Sequence, residues 1–279
     1  MTTIAIFGAA GNMGTRACNA LKGTDAYRVL YVEAGEKGME RLRERGLTPT
    51  PTAEALAVAD VVLMAVPDAL IGRVASDVVP ALKSGAMVIC LDPAAPYGGK
   101  LPERSDITYF ITHPAHPPVF NDEESMEARR DFFGSNIAKQ AIVSALMQGP
   151  EEDYAKGEAI ACLLFGPVLR SHRVTVAQMA ILEPVLSETV SATCLSIIRE
   201  AMDEAVQRGV PYDAARDFLM GHINIELAIL FNETTWQFSE GCKKAIQIAK
   251  GQLFQPDWKR VFEEPELRAS IARITGDVD

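Results

Sequence analysis

The feature that most constrains this chain is Gly8-Ala9-Ala10-Gly11-Asn12-Met13-Gly14, which follows the apolar run Ile4-Ala5-Ile6-Phe7 directly and opens a helical segment. A strand, a glycine turn and a helix in that order make a phosphate-binding unit. Glycine lets the backbone turn tightly and approach a pyrophosphate, and the free N–H groups at the helix start stabilise its charge. The spacing is GxxGxxG, a variant of GxGxxG, and it marks Gly8, Gly11, Asn12, Met13 and Gly14 as candidate dinucleotide contacts. A bare glycine turn is the competing reading. Glu33 ends the second apolar run, about 20 residues beyond Gly14, where a carboxylate accepts hydrogen bonds from the adenine-ribose hydroxyls and repels a 2′-phosphate. That favours NAD over NADP, while Arg41, Arg43 and Arg45 nearby keep NADP open.

Short apolar runs at Ile4 to Phe7, Arg28 to Val32, Val61 to Val66, Met87 to Leu91 and Thr108 to Thr112 alternate with helical segments, which implies parallel strands joined by crossover helices. Ala141 to Met147 is a further run that extends the sheet. From about Val174 the pattern turns helical: Ala177 to Arg208, a stop at Gly209-Val210-Pro211, then Tyr212 to Phe231. Pro184 lies inside the first of these and predicts a kink or a helix start. The expected fold class is therefore α/β, an N-terminal Rossmann domain (a doubly wound parallel sheet, residues 1–172) followed by an all-helical C-terminal domain (residues 173–279). Val66-Pro67-Asp68 should line the cofactor cleft, because ligands of doubly wound sheets bind at the carboxyl ends of the strands.

A formal charge of −10 disfavours a nucleic-acid partner, which needs a basic surface to neutralise phosphates. Cys18, Cys90, Cys162, Cys194 and Cys242 are odd in number and scattered, as expected of reduced, buried thiols in a cytoplasmic protein. No export signal precedes the first strand, and runs such as Val61 to Val66 and Ile160 to Phe165 fall short of the roughly 20 residues that cross a bilayer, so no membrane partner is expected. The acidic ending Thr275-Gly276-Asp277-Val278-Asp279 reads as a frayed tail.

The chemistry-bearing residues fall in three segments. Thr112-His113-Pro114-Ala115-His116-Pro117-Pro118 places two histidines in a proline-stiffened loop after a strand, near the carboxyl end of the sheet. Leu182-Glu183-Pro184-Val185-Leu186-Ser187-Glu188 sets two carboxylates among apolar residues; they are five apart, about 140° around an ideal helix, so one faces a site unless Pro184 breaks the geometry. Glu183 is the preferred one, because apolar neighbours shield it and a buried carboxylate needs a cation or hydrogen-bond donors. Gly221-His222-Ile223-Asn224-Ile225-Glu226 puts His222 and Glu226 on one helical face. His113, His116, Glu183 and His222 together suit a divalent ion such as Zn²⁺, Mn²⁺ or Mg²⁺. General acid/base chemistry without a metal is the alternative.

The glycine turn and the Val66-Pro67-Asp68 turn, followed by helices, resemble the superfamily of the 6-phosphogluconate, β-hydroxyacid and prephenate dehydrogenases and ketol-acid reductoisomerase. The Lys-x-x-x-Asn of the β-hydroxyacid enzymes is absent, and His113-Pro114 is similar to the His-Pro of the prephenate enzymes. His113 to Phe120, Leu182-Glu183-Pro184 and Gly221-His222-Ile223-Asn224 together most resemble the D-apionate oxidoisomerase family. That resemblance implies NAD-dependent oxidation of a small branched hydroxy acid at C2 with metal-assisted carbon migration to a 3-oxo acid. It also implies metal ligation by His113, Glu183 and His222, with His116 as base and His113 able to exchange roles with it. The apolar helix Ser191 to Val206 implies a homodimer, with an intradomain core as its alternative. A metal-independent hydroxy-acid dehydrogenase and a non-catalytic NAD-binding protein are the competing functions.

Overall fold

The structure is a computed structural model that describes residues 1–276. Its first unit comprises Met1–Glu183 with the chain from Arg268 onward, and Pro184–Leu267 forms the second. In the first, β1 (Thr2–Phe7), β2 (Tyr27–Val32), β3 (Val61–Met64), β4 (Met87–Cys90), β5 (Thr108–Pro114), β6 (Gln140–Gln148) and β7 (Val168–Arg173) build one sheet in the order β2-β1-β3-β4-β5-β6-β7. The connecting helices are α1 (Asn12–Leu21), α2 (Glu36–Glu44), α3 (Thr52–Val58), α4 (Asp68–Val78), α5 (Ala94–Tyr97), α6 (Met126–Arg130), α7 (Glu152–Leu164) and α8 (Val176–Ala180).

Alternation of side chains along buried strands divides the core in two. Ala5, Phe7, Val62, Met64, Val88, Cys90 and Ile111 face one side of the sheet, with α3 and α4 residues such as Ala55, Leu56 and Ala75. Ile4, Ile6, Val61, Leu63, Met87, Ile89 and Phe110 face the other, with Ala17, Cys18 and Leu21 of α1. Both faces are covered, so the central strands read as continuous apolar runs rather than alternating ones. Each such Val, Leu or Ile contributes roughly 1.5–3 kcal/mol by leaving water.

Strands β1 to β5 run parallel, as expected, but β6 runs antiparallel to β5. The segment between them holds only the short α6 and does not cross back over the sheet, so it stays at the carboxyl edge. The edge strand β7 was not anticipated, because Val168-Leu169-Arg170-Ser171-His172-Arg173 is polar and half exposed and shows no period of two. Cys18 and Cys90 are buried as expected, whereas Cys162, Cys194 and Cys242 are only half-buried; all are free thiols. Of the tail, residues 277–279 lie outside the described residues, and Thr275, expected to be frayed, is buried with its hydroxyl donating to the Ile271 carbonyl at 2.9 Å.

The second unit contains most of a π-helical stretch (Ile181–Ala192), α9 (Thr193–Gln207), α10 (Tyr212–Leu230) and α11 (Glu240–Leu253); α12 (Glu264–Ile274) follows. The kink or start expected at Pro184 takes the form of this wider turn: proline has no N–H for the i−4 bond and its ring crowds that carbonyl, so the helix widens around it. Leu195, Phe218, Met220, Leu230, Trp236 and Leu253 are each more than half exposed. The continuous run Val176–Gln207 is long and apolar enough, by length and composition, to cross a membrane. Core helices of soluble proteins pass the same test, so the expectation of no membrane partner is not overturned; the run did not stand out in the sequence because Glu183 and Glu188 divide it.

Candidate active site

The glycine turn is built by close approach. Gly8 has φ +78°, and a Cβ there would lie 2.4 Å from the Ala65 carbonyl oxygen; a Cβ on Gly14 would lie 2.1 Å from the Gly8 carbonyl oxygen. These two positions exclude any side chain and let α1 pack onto the turn. Thr15 N–H makes the first helical bond, to the Gly11 carbonyl at 2.8 Å, and Gly11 offers no side-chain cap. The N–H groups of Asn12, Met13 and Gly14 thus point out of the helix start with no helical acceptor, a receptor for an anion.

Glu33, just past β2, accepts from Ala10 N–H at 2.9 Å and from Ala34 N–H at 3.3 Å, stitching the end of β2 to the turn. Arg43 pairs with Glu36 at 2.8 Å, Arg45 donates to Thr15 Oγ1 at 2.9 Å and Asn19 Oδ1 at 3.2 Å, and Arg41 reaches the Lys37 carbonyl at 3.4 Å. All three arginines left open for a 2′-phosphate have local partners.

The chain reverses its direction across the sheet at β1 and β3, and a ligand crevice opens where it does. A cleft of about 430 Å³ opens there, bringing together Gly11, Asn12 and Met13 of the turn, Val66-Pro67-Asp68 behind β3, Leu91 and Asp92 behind β4, His113 and His116, and Glu183. Gly8 and Gly14 shape the turn from behind, and His222 belongs to the second unit.

His113 is the next-to-last residue of β5 rather than part of the loop. Its Nδ1 is 2.8 Å from the Leu91 carbonyl oxygen, which only accepts, so Nδ1 carries the proton and Nε2 is the free base. Nε2 faces Glu183 Oε2 at 3.4 Å, and Asp92 Oδ2 lies 3.9 Å from Nδ1. Two lone pairs that face each other repel, so the His113–Glu183 pair is complete only with a proton or a cation between them. Asp68 opens α4 beside them; burial, and then the charge of Asp92, raise its pKa to about 6. Three carboxylates around one imidazole, with no lysine or arginine lining the cleft, make a receptor for positive charge. Among the described residues no three His, Cys, Asp or Glu side chains converge on a metal position.

His116 sits at φ +60°, a left-handed conformation rare outside glycine and concentrated at functional sites. Its Nδ1 donates to the Phe133 carbonyl at 3.0 Å, which leaves Nε2 free as in His113. In the second unit His222 donates through Nδ1 to the Phe218 carbonyl at 2.8 Å and stacks on that ring, so its Nε2 is free as well.

The chain is 55% identical to the D-apionate oxidoisomerase of Rhizobium rhizogenes over 276 residues, covering 99% of this chain and all of the relative. The chain belongs to the D-apionate oxidoisomerase family. A family member from Cupriavidus necator is 55% identical over 273 residues, 98% of this chain and 99% of that one. A crystal structure described as a semialdehyde dehydrogenase NAD-binding protein from Cupriavidus necator, in complex with calcium and NAD, matches with a TM-score of 0.96 and 54% identity, covering 99% of this chain and 100% of that one. The acetohydroxy acid isomeroreductase NADPH-binding domain family matches residues 1–114, and the phosphogluconate dehydrogenase (decarboxylating) C-terminal family matches residues 121–275. The oxidoisomerase family thus joins the two halves expected from the superfamily resemblance.

Asp92 and Phe133, which line the cleft of this D-apionate oxidoisomerase family member, were missed in the sequence. For Asp92 the signal was present: Leu91-Asp92-Pro93 follows β4 as Val66-Pro67-Asp68 follows β3.

Proposed function

We propose that this chain is an NAD-dependent oxidoisomerase of a branched 2,3-dihydroxy acid of the D-apionate type, with NAD on the glycine turn and a divalent cation at the His113–Glu183 pair. The observation that carries the reading is that the anion receptor of α1 and the paired lone pairs of His113 and Glu183 open on one cleft. The donor set fits such an ion: a neutral imidazole oriented by a backbone carbonyl, a carboxylate, and further negative charge from Asp68 and Asp92. Substrate oxygens and water would supply the remaining donors. When bound, the cation acidifies the C2 hydroxyl and stabilises charge on oxygen during migration.

The chain's own residues then account for the proton. Nε2 of His116 takes the C2 hydroxyl proton as hydride passes from C2 to NAD⁺. A carbon substituent moves from C3 to the new carbonyl carbon, C3 becomes the ketone as its hydroxyl proton leaves, and the C2 oxygen is reprotonated. The sum is acid plus NAD⁺ giving 3-oxo acid, NADH and one proton. Glu33 takes the ribose-hydroxyl role, and Val66-Pro67-Asp68 borders the nicotinamide. Carbon-13 NMR of product from substrate labelled in the migrating group tests the rearrangement: the label is expected on a carbon bonded to C2, whereas an unmoved skeleton refutes it. That no three ligands converge among the described residues favours one competitor, a metal-independent hydroxy-acid dehydrogenase, and an unmoved skeleton is its signature. The exposed apolar helices of the second unit are the proposed homodimer surface of a cytoplasmic enzyme.

Cation binding is expected to depend on pH through Asp68. Its raised pKa means that the carboxyl is protonated, and the site one negative charge poorer, below about 6. Affinity should therefore be full at about pH 7.5 and roughly tenfold weaker at about pH 5 from this group alone. Calorimetric titration with Mg²⁺ or Ca²⁺ checks this, and the part due to Asp68 is the part missing in Asp68→Asn.

A further inference from the structure

Arg16 is the least expected residue in the first unit. It lies on α1, is only 5% exposed, and its Nε, Nη1 and Nη2 atoms make no hydrogen bond. Burial lowers its pKa to about 10, against the opposing effect of Asp131, so the guanidinium is still charged at neutral pH. An ion in that position is costly unless something compensates it.

Its neighbours are two aromatic faces. The guanidinium carbon lies 4.9 Å from the ring centroid of Phe165 and 5.4 Å from that of Phe133, a flat cation over two π systems, which arginine suits and lysine does not. The opposite charge is Asp131, whose carboxylate is already taken by the backbone N–H groups of Gly134, Ser135, Ile137 and Ala138. Arg16 thus pairs, through space, with the anchor of the loop that carries Phe133.

Phe133 in turn holds His116. Its carbonyl accepts from His116 Nδ1, and the two rings pack with centroids 5.3 Å apart. A non-glycine residue at φ +60° persists only where its surroundings over-determine it, and the cleft supplies these two contacts together with the edge-on ring of His113, 6.4 Å away between centroids.

We propose that Arg16 is a positioning residue that fixes the tautomer and ring orientation of His116 by clamping Phe133. The catalytic consequence rests on the reading of His116 as the proton acceptor; the structural link does not. Two readouts keep them apart.

The first is long-range proton–nitrogen NMR of the imidazoles in the full-length protein, where the four histidines give a simple spectrum and His116→Gln assigns the signal. In the parent protein His116 is expected as a single neutral tautomer protonated at Nδ1. In Arg16→Met, which keeps the bulk and removes the charged plane, it is expected to move toward the Nε2-protonated form that an unrestrained imidazole prefers. The second readout is turnover, with kcat expected to fall about tenfold to a hundredfold while KM for NAD⁺ stays within about twofold. Phe133→Leu, at a half-exposed position, removes the platform without the buried charge, so it decides the link if Arg16→Met does not fold. An unchanged His116 signal in Arg16→Met, or in Phe133→Leu where only that variant folds, overturns the proposal. A shifted signal with unchanged kcat upholds the clamp and overturns instead the role of His116 as base.

Discussion

Alanine in place of His113 is expected to lower kcat/KM for the hydroxy acid by about 10³-fold and to leave NAD⁺ affinity within about threefold. Two losses combine. The cleft loses the Nε2 donor that faces Glu183 at 3.4 Å, so the proposed cation loses one of its two protein ligands in the first unit. The backbone carbonyl of Leu91 also loses its hydrogen-bond donor, which leaves the wall of the cleft behind β4 unsupported. The nucleotide turn is formed by other residues, which is why binding of NAD⁺ is spared. Steady-state kinetics with tryptophan-quenching titration of NAD⁺ checks both halves. Turnover within about threefold of the parent would remove His113 from the chemistry.

Gly8→Ala is expected to abolish nucleotide binding and to destabilise the fold by about 3 kcal/mol, a drop in Tm of about 5–10 °C. The new methyl group meets backbone, the Ala65 carbonyl oxygen at 2.4 Å and its carbon at 2.9 Å, so no side-chain rotation relieves it. Ala65 leads into Val66-Pro67-Asp68, and the displacement spreads along the wall of the cleft. Gly23→Ala is the matched control, because Gly23 has φ +82° with open space around its Cβ direction. It bears the left-handed cost alone, about 1 kcal/mol. Calorimetric melting of both variants separates the close approach from the dihedral, and equal shifts would refute the clash.

Much of the nucleotide half is legible along the chain because its determinants are local. The Gly8 and Gly14 positions, the apolar strands and Glu33 all follow from short-range pattern, and the first-unit core repeats it residue by residue. His113 and His116 were readable as a pair, but the division between strand residue and left-handed loop residue depends on where β5 stops pairing with β6, a tertiary matter. Arg16 reads as a solvent-facing helix residue; only the packing of Phe133 and Phe165 around it reveals otherwise. The expectation that only one of Glu183 and Glu188 faces the site rested on ideal helix geometry, and the choice of Glu183 on its apolar neighbours; Pro184 replaces that geometry with a π-helical turn, in which Glu183 lines the cleft and Glu188 lies on the exposed surface. A ligand set drawn from separate segments carries no diagnostic spacing, which is why His222 could be grouped with His113 and Glu183 by residue type but not by pattern.

The most direct measurement is NADH absorbance on mixing the protein with NAD⁺ and D-apionate in the presence of a divalent metal, with parallel samples in excess EDTA and with simple 2-hydroxy acids. NADH formed from D-apionate, abolished by EDTA and restored by added metal, is the expected result. NADH formed equally well in EDTA, or from the simple acids alone, would contradict a cation at the His113–Glu183 pair.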